Sequence, residues 1–293
     1  MALFSRTKHK ELTPEQRKAI GALVETPRYE LIPLSNIRDK AEALPPKSFV
    51  TVTASPKHGM ETTLDVSEWV AARGHDVTPH FSAHMVRDKA HLRELVARAK
   101  NGGMTRVFVV GGDATPGAEN QFHQGLDLIR ALVEMDHPFT EIGVPSYPEG
   151  HPDIKDDVLM QVLREKQQYA AWTATQMSFN PGACESWIKK IRSEGITLPV
   201  YLGIPGVVEL TQLMTIAARI GAADSARYLK KNPSLVGHIM KGGSFGPDAF
   251  LEALAPTLAD PTSKVNALHV FTFNEVAGSA EWRDKMKERL TEE

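Results

Sequence analysis

Cysteine is almost absent from this sequence: Cys184 is the only one among its 293 residues. No intrachain disulfide can form, and a zinc site built from several cysteines is excluded. No window approaches the roughly 18 apolar residues of a membrane-spanning helix. The polar, basic stretch 1–10 also lacks the apolar segment of a secretory signal. These absences together predict a cytoplasmic protein.

Strong charge of either sign is also missing. The formal net charge is -2 at pH 7 and the sequence pI is near 6.6, so there is no electrostatic reason to expect nucleic acid or a membrane as partner. Hydrophobic residues make up 42% of the chain and charged residues 24%, as in ordinary globular proteins. The length suits one large α/β domain of roughly 250 residues with additions.

Several motifs that carry chemistry are missing too. The glycine-rich dinucleotide motif G-x-G-x-x-G, the P-loop and the zinc motif H-E-x-x-H do not occur. A Rossmann dehydrogenase is therefore disfavoured. No local serine or cysteine nucleophile motif is present, and no ligand pair has tight metal spacing, so we predict no metal site.

Short apolar segments alternate with amphipathic ones along the whole chain. A first helix over 13–25 begins with a capping threonine followed by proline, Thr13-Pro14. We predict strands at 28–33, 48–53, 76–82, 106–110, 141–145, 172–177, 198–202 and 268–273. We predict the other helices at 64–73, 88–101, 121–135, 156–169, 185–194, 209–220, 223–231, 247–258 and 280–289.

Eight such β/α units favour a TIM (β/α)8 barrel. We expect a single barrel domain over residues 27–293, preceded by an N-terminal helical extension over residues 1–26. An open doubly wound sheet is the alternative, because strand assignments from one sequence are error-prone.

The fourth predicted strand has the most informative ending. Val107 to Val110 shows no polar alternation, which predicts a strand buried on both faces, and Gly111-Gly112-Asp113 follows at once. The glycines allow a sharp turn or the close approach of a ligand. Asp113 lies where a barrel places its chemistry, although a β-turn in which it bonds its own backbone is the alternative.

Polar residues also follow the other predicted strands, and in a barrel they would converge on one pocket. Carboxylates and histidines supply acid/base capacity, and an amide supplies hydrogen-bonding specificity. Glu30 lies inside an apolar strand, so it is either on a solvated edge or facing a polar pocket. The set comprises Glu30, Thr53, His80, Asp113, Tyr147, Glu149, His151, Gln176, Thr272 and Asn274.

The order of these residues resembles the methylenetetrahydrofolate reductase family, from about Arg28 to Asn274. The segment after strand five, Tyr147-Pro148-Glu149-Gly150-His151-Pro152, is the most specific piece. The other pieces are Tyr29-Glu30-Leu31-Ile32-Pro33, Phe49-Val50-Thr51-Val52-Thr53, Thr78-Pro79-His80, Gly112-Asp113, Pro116-Gly117, Thr175-Gln176, Gly203-Ile204-Pro205 and His269-Val270-Phe271-Thr272-Phe273-Asn274.

The resemblance implies a TIM barrel that reduces 5,10-methylenetetrahydrofolate to 5-methyltetrahydrofolate with NAD(P)H, supplying methionine synthesis. It implies that Glu30 is the general acid, that Asp113 stabilises a cationic iminium, and that Gln176 bonds the folate. Thr53, Tyr147, Thr272 and Asn274 are also expected at the substrate. The expected cofactor-binding residues are His80, Gly112, Tyr147, Glu149, His151, Arg164 and Lys166.

The sequence departs from the family pattern where the family holds FAD. The family's strand four ends in Arg-Gly-Asp, and the arginine helps hold the flavin; here that position is Gly111. The family's Ala-Gly-Ala turn before Thr-Gln is replaced by 168–172, and the segments 31–35 and 206–209 also differ. The departures argue against FAD and indicate direct hydride transfer from NADH, or from NADPH, to the folate iminium.

Three alternatives stay open at this point. The same reaction could pass through bound FAD held by backbone and the remaining polar groups. The barrel could bind folate without catalysis, although the presence of both Glu30 and Asp113 argues against this. A lyase or aldolase would need a lysine at a strand end, and no predicted strand ends in one.

Overall fold

A computed structural model describes residues 11–112, 121–207 and 247–292. Eight parallel strands close into a barrel in sequence order, and β1 pairs with both β2 and β8. The strands are β1 (Arg28–Leu31), β2 (Phe49–Val52), β3 (Asp76–Ser82), β4 (Arg106–Val110), β5 (Glu141–Ser146), β6 (Trp172–Thr175), β7 (Val200–Pro205) and β8 (Val265–Phe271). The predicted TIM barrel is confirmed, and the open sheet is wrong.

Helices surround the barrel in the part of the chain that is described. They are α1 (Pro14–Glu25), α2 (Ile37–Ala41), α3 (Gly59–Ala71), α4 (Lys89–Asn101), α5 (Gly125–Val133), α6 (Asp156–Lys166), α7 (Pro181–Ser193), α8 (Asp248–Ala259) and α9 (Val276–Glu292). None of these helices has the length and apolar character that crossing a bilayer would require.

The start of α1 follows the predicted capping pattern. Thr13 Oγ1 accepts a hydrogen bond from Gln16 N at 3.3 Å, and Gln16 Oε1 accepts one from Thr13 N at 3.1 Å. This reciprocal pair satisfies two backbone donors that the first helical turn leaves unpaired. Ile20 and Val24 of the same helix are fully buried in a core cluster that also contains Leu31 of β1. Helix α1, which belongs to the predicted N-terminal extension, is thus packed into the outer layer of the barrel.

Several predicted boundaries are wrong by a few residues. Helix α3 begins at Gly59 and α7 at Pro181, earlier than predicted, and Asn180 caps α7 by accepting from Ala183 N. Strand β8 begins at Val265, three residues earlier than predicted, because its pairing with β7 already starts there, opposite Val200. The short helix α2 was not predicted. The predicted helices at 209–220 and 223–231 lie outside the described residues.

Aromatic rings fill the middle of the barrel. Trp172 stacks on Phe108 with ring centroids 5.2 Å apart and on Tyr201 with centroids 4.3 Å apart. Below them, the guanidinium of Arg28 lies 4.0 Å from the Tyr201 ring centroid and donates to its hydroxyl at 3.2 Å. Ring stacking and a cation–π contact therefore close the amino-terminal end of the barrel beneath the site.

Gly143 on β5 tests how tightly this stack is packed. A Cβ added at Gly143 would lie 2.2 Å from Cζ2 of Trp172, whose ring is held between two others. We expect Gly143→Ala to destabilise the protein by about 1–3 kcal/mol through overpacking. Thermal unfolding measures this as a fall in Tm of several degrees, since roughly 2–4 °C corresponds to 1 kcal/mol at this size.

Gly21 of α1 is the matched control for that substitution. A Cβ added there would meet no atom within 4 Å. Gly21→Ala should stabilise the protein by roughly 0.5–1 kcal/mol, because alanine favours a helix over glycine. Equal Tm values for the two variants would contradict the packing argument.

Candidate active site

Glu30 of β1 lies inside the barrel and not on an edge. Glu30 is 9% exposed, and its Oε2 lies 2.9 Å from Nε2 of His269 on β8. The pairing of β1 with β8 brings these two strands side by side. A buried carboxyl needs such a partner because desolvation without a hydrogen bond is costly. Of the two placements that the sequence left open for Glu30, the structure shows the one facing a polar interior.

His80 of β3 also faces Glu30, at a longer distance. Its Nε2 lies 4.0 Å from Glu30 Oε2, and its ring centroid lies 4.7 Å from that of Phe108. Burial lowers the pKa of His80 to about 4, although the nearby Glu30 opposes that shift. His80 is therefore neutral at pH 7. It lies in the barrel interior beside Glu30, and its predicted role in cofactor binding stays a prediction.

Thr272 and Asn274 connect the end of β8 to β1. Thr272 Oγ1 donates to the backbone oxygen of Glu30 at 2.5 Å. Asn274 accepts from Ile32 N and donates to Ile32 O, both at 2.9 Å. These side chains were predicted to contact substrate, but their hydrogen-bonding atoms are used by the backbone of the first strand. Their evident effect is to hold the segment that carries Glu30.

Gln176 and Thr53 lie at the carboxyl ends of β6 and β2. Gln176 Oε1 accepts from Met177 N at 2.9 Å, which leaves its amide nitrogen without a partner among the described residues. The backbone N–H of Thr53 donates to Leu31 O at 2.9 Å, and its hydroxyl likewise has no partner in the described part of the chain. Both are half-buried at the same end of the barrel as Glu30. Both retain hydrogen-bonding capacity for a ligand.

A cavity of about 710 Å³ opens beyond the ends of β4 and β5, between α5, α6 and α7. Its size suits a dinucleotide or a molecule of similar size. Of the predicted cofactor-binding residues, it is lined by Gly112, Tyr147, Glu149, His151 and Lys166. Gly111 also lines it, and its other lining residues include His84, Gln124, Trp187 and Lys190, which were not predicted from the sequence. These four lie in loops and helices without a motif, so no local signal identified them.

Lys166 is the most perturbed basic group in the cavity. Lys166 is 7% exposed, and burial lowers the pKa of its amine to about 8. No described residue forms an ion pair or hydrogen bond with this amine. A Cβ at Gly125, the first residue of α5, would lie 3.3 Å from its Nζ, so the amine lies at the start of that helix. A helix N-terminus and an amine together favour an anionic group such as a phosphate.

Arg164 does not share the position of Lys166. Arg164 lies on the exposed side of α6, and its Nη2 lies 2.5 Å from Oε2 of Glu194, which follows α7. Arg164 is not among the residues that line the cavity. Residues two apart on a helix point in nearly opposite directions. The structure therefore gives no support to the predicted role of Arg164 in cofactor binding.

The loop after β5 is held by its own polar contacts. The Tyr147 ring packs edge-on against His151 with centroids 5.1 Å apart. Nδ1 of His151 accepts from Asp153 N at 3.2 Å, so the neutral imidazole carries its proton on Nε2. Oε1 of Glu149 accepts from the hydroxyl of Ser178 in the loop after β6. The most specific segment of the sequence thus forms one fixed wall of the cavity.

The two glycines after β4 differ in their steric requirements. Gly112 has a φ of +78°, and an added Cβ would lie 2.0 Å from Ser82 Oγ, so glycine is required there. An added Cβ at Gly111 would meet no atom of the described residues within 4 Å. Packing against the described part of the chain therefore does not require glycine at position 111. Asp113, the second predicted catalytic residue, lies outside the described residues.

Comparisons with known proteins agree with these motifs. A family model described as methylenetetrahydrofolate reductase matches residues 26–281. A Caenorhabditis elegans protein named "Probable methylenetetrahydrofolate reductase (NADPH)" is 26% identical over 197 residues, which cover 64% of this chain and 29% of that protein. "Methylenetetrahydrofolate reductase 1" of Schizosaccharomyces pombe is 30% identical over 114 residues, or 36% of this chain and 19% of that protein. This chain spans less than a third of the length of these curated relatives.

The depressed pKa of Lys166 predicts a pH-dependent stability difference. Because the folded-state pKa is about 8 and the ordinary value 10.5, the folded protein carries the full cost of a buried charge below pH 8. That cost disappears as pH rises through 10.5. Lys166→Met should therefore raise the free energy of unfolding at pH 7 by about 2–3 kcal/mol. The gain should shrink between pH 8 and pH 10.5.

Urea unfolding at pH 7 and pH 10 measures this difference. Lys100→Met on α4 is the matched control, because Lys100 is exposed and its Nζ lies 3.2 Å from Asp136. Its difference from the unsubstituted protein should stay small and constant. If the free energy of unfolding of Lys166→Met differs from that of the unsubstituted protein by the same amount at pH 7 and pH 10, the buried amine does not carry the predicted cost of a buried charge.

Proposed function

Because the family model covers most of it, this chain belongs to the methylenetetrahydrofolate reductase family, and we propose that it reduces 5,10-methylenetetrahydrofolate to 5-methyltetrahydrofolate with NADH as the direct hydride donor. The observation that carries the proposal is the buried carboxyl of Glu30, hydrogen-bonded by His269 near the carboxyl end of the barrel. TIM-barrel enzymes place their chemistry at that end.

Glu30 acts as the general acid in this proposal. Its Oε1 has no hydrogen-bond partner among the described residues, so this oxygen is available to a ligand while Oε2 is held by His269. Oε1 gives its proton to the nitrogen that leaves the methylene bridge. The carbon–nitrogen bond breaks with its electron pair on that nitrogen, and an iminium cation remains on the folate. A positioned acid contributes typically 10²- to 10⁴-fold to such a step.

Asp113 is proposed to stabilise that cation, as the family resemblance implies. An anion fixed beside a developing positive charge lowers the barrier more in a dry site than in water. Gln176 and Thr53 are proposed to orient the folate, because each keeps hydrogen-bonding capacity at the same end of the barrel. The carboxylate of Asp113 follows Gly112, whose backbone conformation only glycine adopts easily.

The cavity beside β5 and α6 is proposed to hold the nicotinamide dinucleotide. When bound, a reduced nicotinamide supplies the hydride that completes the reduction. Lys166 and the start of α5 suit its diphosphate, since both favour negative charge. Tyr147 and His151 provide ring surfaces and one N–H donor on the wall formed by the loop after β5.

The residues of this cavity suit FAD less well than the residues that the family pattern has at the same positions. Gly111 occupies the position of the family's flavin-binding arginine, and no atom of the described residues lies within 4 Å of a Cβ added there. An arginine there would supply a planar, charged donor for the flavin. The absence of this donor in the sequence supports direct transfer from NADH.

Isotope transfer tests the donor directly. We expect the purified protein to show no flavin absorbance and to oxidise NADH when methylenetetrahydrofolate is added without flavin. With NADH deuterated at the transferable position, deuterium should appear in the methyl group of the product. Passage through a flavin would exchange the label with water, because the flavin would hold it on an exchangeable N–H.

Other results would favour the alternatives. A yellow protein, or turnover that requires added FAD, would favour the flavin route. Equilibrium binding of folate without turnover, with NADH or NADPH, would favour a barrel that binds folate only. Comparing NADH and NADPH in the same assay establishes which donor this chain uses.

Glu30→Gln tests the acid. Glutamine keeps the size and a hydrogen-bonding group at this position but cannot donate the proton to the leaving nitrogen. We expect kcat to fall by about 10²- to 10⁴-fold while folate binding changes little. Steady-state kinetics and an equilibrium binding titration measure the two effects separately. Turnover within a few fold of the unsubstituted protein would eliminate the proposed role of Glu30.

A further inference from the structure

His269 is the only described side chain that can hydrogen-bond the Glu30 carboxyl. Its Nε2 lies 2.9 Å from Oε2, and its side chain is 2% exposed. His80 lies at 4.0 Å, beyond hydrogen-bonding distance. The carboxylate that remains after Glu30 gives up its proton therefore depends on His269 within the described part of the barrel.

The ring of His269 is held in place by packing and not by a second hydrogen bond. Its centroid lies 4.8 Å from that of Phe271 and 6.3 Å from that of Phe108, and its Nδ1 has no partner among the described residues. A neutral imidazole in these surroundings can carry its one proton on Nε2 and donate it to Oε2. The alternative tautomer would place an N–H on the side where the described residues offer no acceptor, at a desolvation cost.

We infer that His269 is a positioning residue that makes Glu30 an effective acid, by donating an Nε2–H hydrogen bond to the carboxylate that proton transfer leaves behind. The inference rests on the proposed role of Glu30 as general acid. No proton is gained or lost by His269 in this step: the O–H bond at Glu30 Oε1 breaks, the N–H bond on the folate forms, and the hydrogen bond to Oε2 strengthens as the charge develops.

Few other titratable groups face this pair. His80 contributes from β3, and burial lowers its pKa to about 4, so it stays neutral near pH 7. Arg28 lies below Glu30 on the same strand, with its guanidinium against Tyr201 of β7. β2, β4 and β6 contribute Thr51, Phe108 and Trp172, none of which titrates in this range. Asp113 after β4 lies outside the described residues.

Two substitutions separate the hydrogen bond from the ring. His269→Phe keeps an aromatic ring but removes the donor, whereas His269→Gln keeps an N–H donor near the position of Nε2. With the donor lost, the carboxylate form is disfavoured, so Glu30 stays protonated to higher pH and gives up its proton less readily. We expect kcat to fall about 10- to 100-fold in His269→Phe, the effect of a hydrogen bond to a charged group, and to recover in His269→Gln.

The pH dependence distinguishes this role from a purely structural one. The high-pH limb of the kcat profile should move upward by about one pH unit or more in His269→Phe, and KM for folate should change little. His91→Gln is the matched control: His91 is also a buried imidazole, and its Nε2 lies 3.2 Å from Glu61 on the outside of the barrel. Its pH profile should be that of the unsubstituted protein.

A measurement independent of turnover keeps the two proposals separable. The infrared C=O stretch of the Glu30 carboxylic acid, isolated as a difference against Glu30→Gln, should persist to higher pH in His269→Phe. If that shift appears but the unsubstituted protein shows no turnover, the proposed reaction fails, while the hydrogen bond from His269 to the Glu30 carboxylate is confirmed. If the unsubstituted protein turns over while His269→Phe changes neither the infrared titration nor the pH limb, the role assigned to His269 is overturned.

Discussion

A carboxyl group buried inside a closed barrel must receive its hydrogen bonds from strands that are distant in the sequence. Glu30 meets this constraint through His269, 239 positions later in the chain, and the contact exists because β1 and β8 pair to close the barrel. Thr272 and Asn274 strengthen the same junction by bonding the backbone of Glu30 and Ile32. Barrel closure and the placement of Glu30 are therefore one structural event, and a defect at the junction would affect both.

The site divides into two regions with different electrostatics. The barrel interior holds the buried carboxyl of Glu30 among aromatic rings and the imidazoles of His80 and His269. The cavity beyond β4 and β5 contains a buried amine at a helix start, which suits an anion. A reaction that combines a proton donor with an anionic dinucleotide needs both kinds of environment next to each other.

The two glycines after β4 differ in what the fold requires of them. Gly112 is required by its backbone conformation and by the closeness of Ser82. At Gly111 no described residue comes close enough to exclude a side chain, so a ligand can decide which residue is present there. A side chain can be lost at such a position with little cost to stability, and the space it leaves can accommodate a different ligand group.

The sequence by itself determined the barrel, the cap of α1 and the placement of polar residues at strand ends, because these depend on local periodicity and on short-range backbone chemistry. It also indicated that Glu30 was exceptional, since a carboxylate in an apolar strand is unusual. Only the tertiary structure separated Lys166 from Arg164, because the side of α6 that faces the cavity depends on how the helix packs. Likewise, the contact between Glu30 and His269, and the use of Thr272 and Asn274 by the backbone, follow from strands that meet only when the barrel closes.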